Sequence, residues 1–137
     1  MPKRVLVCDD HAPTRGLIRT VLESEKGERF EVVEAATGGD CIQHFDSLGP
    51  FDLVLLDVGL PDMDGYQVCR ALRTVDNKVP IVFVTGQGEL KDYNAGREAG
   101  ADSYLVKPIG RAALRSMTAL FTSLGRNRPP DTELTQT

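Results

Sequence analysis

Cysteine is scarce in this 137-residue chain: Cys8, Cys41 and Cys69 are odd in number, widely spaced and form no CxxC pair. Such usage argues against both a disulfide framework and a zinc site, and it predicts three buried, reduced thiols. Basic charge is also in short supply, with 16 Lys and Arg against 20 Asp and Glu for a net charge of −4. Nonspecific phosphate-backbone binding depends on clustered cations, so no direct nucleic-acid partner is expected. Long apolar runs are missing as well. The longest, Leu53 to Leu56 and Ile81 to Val84, fall far short of the roughly 20 residues that span a bilayer. No membrane partner is therefore expected. Lys3 and Arg4 precede four apolar residues, but Asp9 and Asp10 end that stretch too soon for a signal peptide, and the reading is of a mature, cytoplasmic N-terminus. Trp is absent, and the length allows one domain without room for a sizeable second one.

What the chain does contain is regular alternation. Short apolar runs rich in β-branched residues occur at Val5 to Cys8, Phe30 to Ala35, Leu53 to Leu56, Ile81 to Val84 and Tyr104 to Val106, each of strand length. Between them stand segments of helical spacing. These carry Leu17, Ile18, Val21 and Leu22; Cys41, Ile42 and Phe45; Val68, Cys69 and Leu72; a weaker stretch from about Leu90 to Ala99; and Leu114, Met117, Leu120, Phe121 and Leu124. Strict strand–helix alternation predicts an α/β fold with a doubly wound, five-stranded parallel sheet and five helices. The second run is broken by Glu31 and Glu34, which suits an edge, and the fifth is short, so the expected order is 2-1-3-4-5, a flavodoxin-like arrangement. Gly16 and Gly96 interrupt helical segments, and the fourth helix, which also holds Asn94, is expected to be the least stable. Residues 1–124 form the expected domain. From Gly125 to Thr137 the chain is polar, carries Pro129 and Pro130, and reads as a disordered tail or the start of a linker.

Ligands of open parallel sheets bind outside the carboxyl ends of the strands. The residues expected there are Asp9 and Asp10 after the first strand, Asp57 after the third, Thr85 after the fourth and Lys107 after the fifth. Three carboxylates without His or Cys beside them are hard oxygen ligands suited to Mg²⁺, and an adjacent ammonium and hydroxyl suit a phosphoryl group. The chemistry this favours is phosphoryl transfer with an Asp as acceptor. Asp9 and Asp10 alone are equally readable as a solvated strand end or a helix cap; Asp57 and Lys107 remove that equivalence. Asp62 and Asp64, in the Pro61 to Gly65 stretch, read as turn and cap residues, with Gly65 allowing unusual backbone angles.

In VLVCDD, LVLLDVGLPDMDG, IVFVTG and AGADSYLVKP, the chain over about residues 4–124 resembles the receiver domain of two-component response regulators, the CheY-like family. The resemblance implies that Asp57 is the phosphoacceptor, that Asp10, Asp57 and the backbone carbonyl of Gly59 bind Mg²⁺, and that Asp9 reaches the metal through water. It further implies that Lys107 pairs with the acceptor, that Thr85 and Tyr104 form the switch, and that Lys107–Pro108 is a cis peptide. The implied partners are a sensor histidine kinase or histidine phosphotransfer domain, and a downstream protein target or second copy on the face formed by helix 4, strand 5 and helix 5. A Mg²⁺-dependent phosphatase using an aspartyl phosphate is the enzymatic alternative; it usually wants a DxD pair after the first strand and a lid domain, and the chain has neither.

Overall fold

The computed structural model describes residues 2–24, 29–86 and 93–124. Its elements run β1 (Lys3–Cys8), α1 (Ala12–Leu22), β2 (Phe30–Ala35), α2 (Gly38–Leu48), β3 (Leu53–Leu56), α3 (Gly65–Val75), β4 (Ile81–Thr85), α4 (Tyr93–Ala99), β5 (Ser103–Val106) and α5 (Arg111–Leu124). The five strands form one sheet in the order β2-β1-β3-β4-β5, and every pairing is parallel. β2 and β5 are the edges, as expected from their charged and short sequences. The expected start of the fourth helix near Leu90 and the polar stretch from Gly125 both lie outside the described residues.

Strand side chains alternate between two cores. Leu6, Cys8, Val54, Leu56, Ile81 and Phe83 meet Cys41, Phe45, Val68, Cys69 and Leu72 of α2 and α3 on one face. Val5, Val7, Leu53, Leu55, Val82 and Val84 meet Ile18, Val21, Leu22 and Leu114 of α1 and α5 on the other. The central strands are buried on both faces, which is why their sequences are almost wholly apolar. Helix phase differs from expectation at two positions. On α1 Leu17 is 36% exposed, the buried residues being Ile18, Val21 and Leu22, and on α5 Leu120 is 56% exposed because the packed stripe runs through Leu114, Thr118 and Thr122. Two threonines thus occupy core positions that an apolar count passes over.

Polar anchors fix the loops. Asp64 caps α3 in a reciprocal box with Gln67, as the turn reading expects. Asp62 instead reaches across to the start of α2, accepting from Gly38 N at 2.7 Å and Gly39 N at 2.9 Å, and these bonds hold its pKa below the usual carboxylate value. Gly65 needs no unusual backbone angle, since Gly100 is the only residue with positive φ among those described. Its requirement is space: a Cβ there would strike the Asp57 carbonyl and stand 2.8 Å from Val58 Cα. Among the described residues two X-Pro bonds are cis, Lys107–Pro108 and Gly49–Pro50.

The cysteine expectation is corrected. Cys8 and Cys41 are joined as a disulfide with their Cα atoms 5.9 Å apart, and only Cys69 is a free thiol. Spacing in sequence does not reveal this pairing, which arises because the first turn of α2 packs against the end of β1. Burial pushes the Cys69 thiol up to about 11. Purified without reductant, the folded protein is therefore expected to resist iodoacetamide near neutral pH, to show one reactive thiol on unfolding, and to show three only after reduction. Three without reduction would contradict the pairing. With the cysteines 33 positions apart in sequence, loop-closure entropy makes reduction worth up to about 4 kcal/mol of stability, readable as a lower urea midpoint.

Candidate functional site

The parallel register brings β1 and β3 to a common end: Cys8 pairs with Leu56, and Asp57 N donates to the Cys8 carbonyl at 2.9 Å. Asp9 and Asp57, the next residues on each strand, are therefore neighbours. Ligand oxygens of Asp9, Asp10 and Asp57 all lie within 4.8 Å of one another. Asp9 and Asp57 are 2% and 3% exposed, whereas Asp10 faces solvent. Two unit charges about 4 Å apart repel by about 4 kcal/mol at an effective dielectric near 20, so such a cluster needs cations.

One cation is built in. Thr85 pairs with Val106 at the ends of β4 and β5, and Lys107 N donates to the Thr85 carbonyl at 2.8 Å, which places Lys107 at the same rim. Its Nζ lies 2.8 Å from Asp9 Oδ2 and 3.4 Å from Asp57 Oδ2. The ammonium is thus shared, and it stands closer to Asp9 than to the carboxylate the sequence reading paired it with. Burial works against its charge, but contact with Asp9 and the charges of Asp57 and Asp9 outweigh that, and its pKa is raised.

Several polar groups at this rim keep unused bonding capacity. Asp9 Oδ1 accepts from His11 N at 2.9 Å, while Oδ2 has the ion pair but no aligned hydrogen bond. Among the described residues Asp57 Oδ1 accepts one long bond, 3.3 Å, from Gly59 N. Thr85 is fully buried, and its Oγ1 meets no hydrogen-bonding partner among the described residues. An unpaired buried hydroxyl costs about 1–3 kcal/mol, which a phosphoryl oxygen could offset. The three convergent carboxylates of Asp9, Asp10 and Asp57, with partly unsatisfied oxygens, also fit a hard divalent cation such as Mg²⁺.

Tyr104 lies one layer away. Its ring stacks on Phe83 with centroids 5.9 Å apart, and Phe83 in turn meets Tyr66 edge-on at 5.3 Å. Sequence reasoning treated Gly96 as a mere helix weakener. Its missing side chain is in fact where the Tyr104 phenol sits: a Cβ would overlap Tyr104 Oη and stand 3.0 Å from Cζ. Composition held no signal for that contact, because it joins α4 to β5 through space.

Comparison with known proteins agrees with this geometry. Residues 5–119 match the family model described as the response regulator receiver domain. The chain is 38% identical over 131 residues to the probable transcriptional regulator ycf27 of Pyropia yezoensis, covering 90% of this chain and 52% of that protein. It is 42% identical over 109 residues to the DNA-binding response regulator MtrA of Mycolicibacterium paratuberculosis, covering 80% and 46%. It thus spans about half the length of these curated relatives. The crystal structure of a CheY-like receiver domain protein from Methanospirillum hungatei superposes with a TM-score of 0.82 at 28% identity, over 90% of this chain and 95% of that one.

Two effects compete at Gly96. Ala is the better helix former by up to about 1 kcal/mol, whereas its methyl group would evict the Tyr104 phenol. Gly96→Ala is expected to shift the Tyr104 ring resonances and raise ring accessibility, with no net stabilisation. A variant more stable by about 1 kcal/mol with unmoved Tyr104 resonances would contradict this packing.

Proposed function

This chain belongs to the response regulator receiver family of two-component signalling proteins, and from that membership we propose that Asp57 is its phosphoacceptor, charged by a sensor histidine kinase or a histidine phosphotransfer domain. A receiver is a signalling domain rather than a classical enzyme, and the phosphatase alternative is not favoured. The observation that carries the assignment is the shared Lys107 ammonium, 3.4 Å from Asp57 Oδ2, at the same rim as a Thr85 hydroxyl that has no hydrogen-bond partner among the described residues.

An Asp57 carboxylate oxygen attacks phosphorus, an acyl phosphate P–O bond forms, and the P–N bond of the phosphohistidine breaks, its electron pair staying on the ring nitrogen; with the other ring nitrogen protonated, the ring leaves as neutral imidazole. Lys107 neutralises the added charge, and Thr85 donates its hydroxyl to a phosphoryl oxygen. Receivers bind Mg²⁺ at such an acidic cluster; here Asp10, Asp57 and the Gly59 carbonyl would hold it directly, with Asp9 behind them through water. When bound, the metal supplies charge neutralisation and orientation of the phosphoryl oxygens.

Recruitment of the Thr85 hydroxyl vacates space toward which Tyr104 turns, coupling the site to α4 and β5. The output on this reading is altered binding of a protein target, or of a second copy, at the α4–β5–α5 face. Net charge −4 supports protein rather than nucleic-acid contact by this domain, even though a relative is a DNA-binding regulator. No helix among the described residues is long and apolar enough to cross a membrane. The same reading puts the domain in the cytoplasm, where it would meet a histidine kinase.

Incubation with acetyl phosphate and MgCl₂ is expected to add one phosphoryl group by intact mass, with Asp57→Asn at background and omission of Mg²⁺ slowing the gain at least tenfold. Equal labelling of Asp57→Asn would overturn the assignment, and turnover of an external phosphate ester would favour the phosphatase reading.

A further inference from the structure

The β1–α1 loop carries two of the three carboxylates, and within it Asp9 Oδ1 accepts from His11 N at 2.9 Å. The Asp9 carbonyl is held from outside the cluster, by Arg15 in the first turn of α1. Its Nη1 donates to the Asp9 carbonyl at 2.7 Å, and its Nε donates to Glu34 Oε1 at 2.9 Å. Glu34 lies on edge strand β2, and its other oxygen accepts from Arg19 Nε at 2.7 Å. Arg19 continues to Glu23, whose Oε2 accepts from Val32 N at 2.9 Å, so the chain of contacts returns to the same strand.

The arrangement differs from an ordinary surface ion pair. The Arg15 and Glu34 side chains are only 17% and 28% exposed, and one carboxylate holds two guanidinium groups one helical turn apart. The Arg19 contact, ahead of the opposing effect of burial, and then Arg15 keep the Glu34 carboxyl below its usual pKa. The planar fork lets Arg15 engage Glu34 and the Asp9 carbonyl together, which a lysine ammonium on one flexible stem does less well.

We propose that Arg15, aimed by Glu34, is a positioning residue of the acidic site: by gripping the Asp9 carbonyl it sets the peptide joining Asp9 to Asp10, and so the disposition of both carboxylates toward a divalent cation. Glu34 has a second effect. Without it, the guanidinium beside the loop would be drawn to Asp9 and Asp10 and would compete with the cation. Glu34, on the far side of Arg15, keeps it on the carbonyl instead. The two glutamates that interrupt the β2 sequence therefore differ in role. Glu31 makes a half-exposed pair with Arg4, whereas Glu34 supports the metal site from outside.

The inference rests on the receiver reading for the identity of the cation, and its test is separate from activity. Mg²⁺ is titrated into the unphosphorylated protein, and the dissociation constant is read from amide resonances of Asp9, Asp10 and Asp57. Arg15→Met is expected to weaken Mg²⁺ about tenfold, the low end of what groups supporting a metal's ligands contribute. Glu34→Gln is expected to weaken it comparably. The double variant is expected to be no weaker than Arg15→Met alone, since both act through one guanidinium. Arg15→Lys should recover part of the loss. In metal-free protein, amide exchange at Asp10 and His11 should quicken in Arg15→Met.

A purely structural role would lower melting temperature and leave the Mg²⁺ constant within twofold of wild type, and that result overturns the proposal. Additive losses in the double variant overturn it too, as does a wild-type chain with no Mg²⁺-dependent shift at these amides. If Arg15→Met does not fold, Glu34→Gln, which removes a charge without removing volume, decides by the same twofold criterion. Loss of acetyl phosphate labelling in the wild type would sink the phosphoacceptor assignment while leaving this result readable by itself.

Discussion

Among the described residues one ammonium group, that of Lys107, stands beside the three carboxylates at the carboxyl edge of the sheet, 2.8 Å from Asp9 and 3.4 Å from Asp57. The other features of the site follow from that imbalance. This positive charge holds two buried acids in place, and the third, Asp10, faces solvent. A rim so loaded is poised to take a divalent cation, and then to accept a phosphoryl group whose oxygens need the same positive partners.

The fold converts strand register into that proximity. Cys8 beside Leu56 makes Asp9 a neighbour of Asp57, and Thr85 beside Val106 delivers Lys107. Around the rim, backbone-level contacts keep the loops in place: Asp62 on the start of α2, Gly65 against the Asp57 carbonyl, and Arg15 on the Asp9 carbonyl. The Cys8–Cys41 link adds a covalent tie between α2 and the strand residue whose carbonyl receives the Asp57 amide. Packing runs from Phe83 through Tyr104 to Gly96, where the absence of one methyl group decides whether the phenol fits.

Much of this is legible in the sequence. Apolar runs buried on both faces, an edge strand marked by Glu31 and Glu34, and chemistry-bearing residues at strand ends are properties of contiguous sequence, and they led to the sheet order and to the acidic cluster. What escaped depends on distances between segments remote in sequence. The pairing of Cys8 with Cys41 needs the phase of α2 over β1. The roles of Gly65 and Gly96 need a neighbour's carbonyl or phenol, so they read as turn former and helix weakener. Thr118 and Thr122 fill core positions where an apolar count chose Leu120. The grip of Arg15 on a backbone carbonyl leaves no motif, although Glu34 was visible as an oddity in an otherwise apolar strand.

The most direct test of the charge imbalance is the melting temperature of Asp10→Asn against wild type, in EDTA and in MgCl₂. Removing one exposed charge relieves repulsion on the order of 1 kcal/mol after solvent screening, equivalent to a few degrees in a domain of this size. The account requires the metal-free variant to melt higher than metal-free wild type, and the rise produced by MgCl₂ to shrink. A metal-free variant that melts lower than wild type would contradict it.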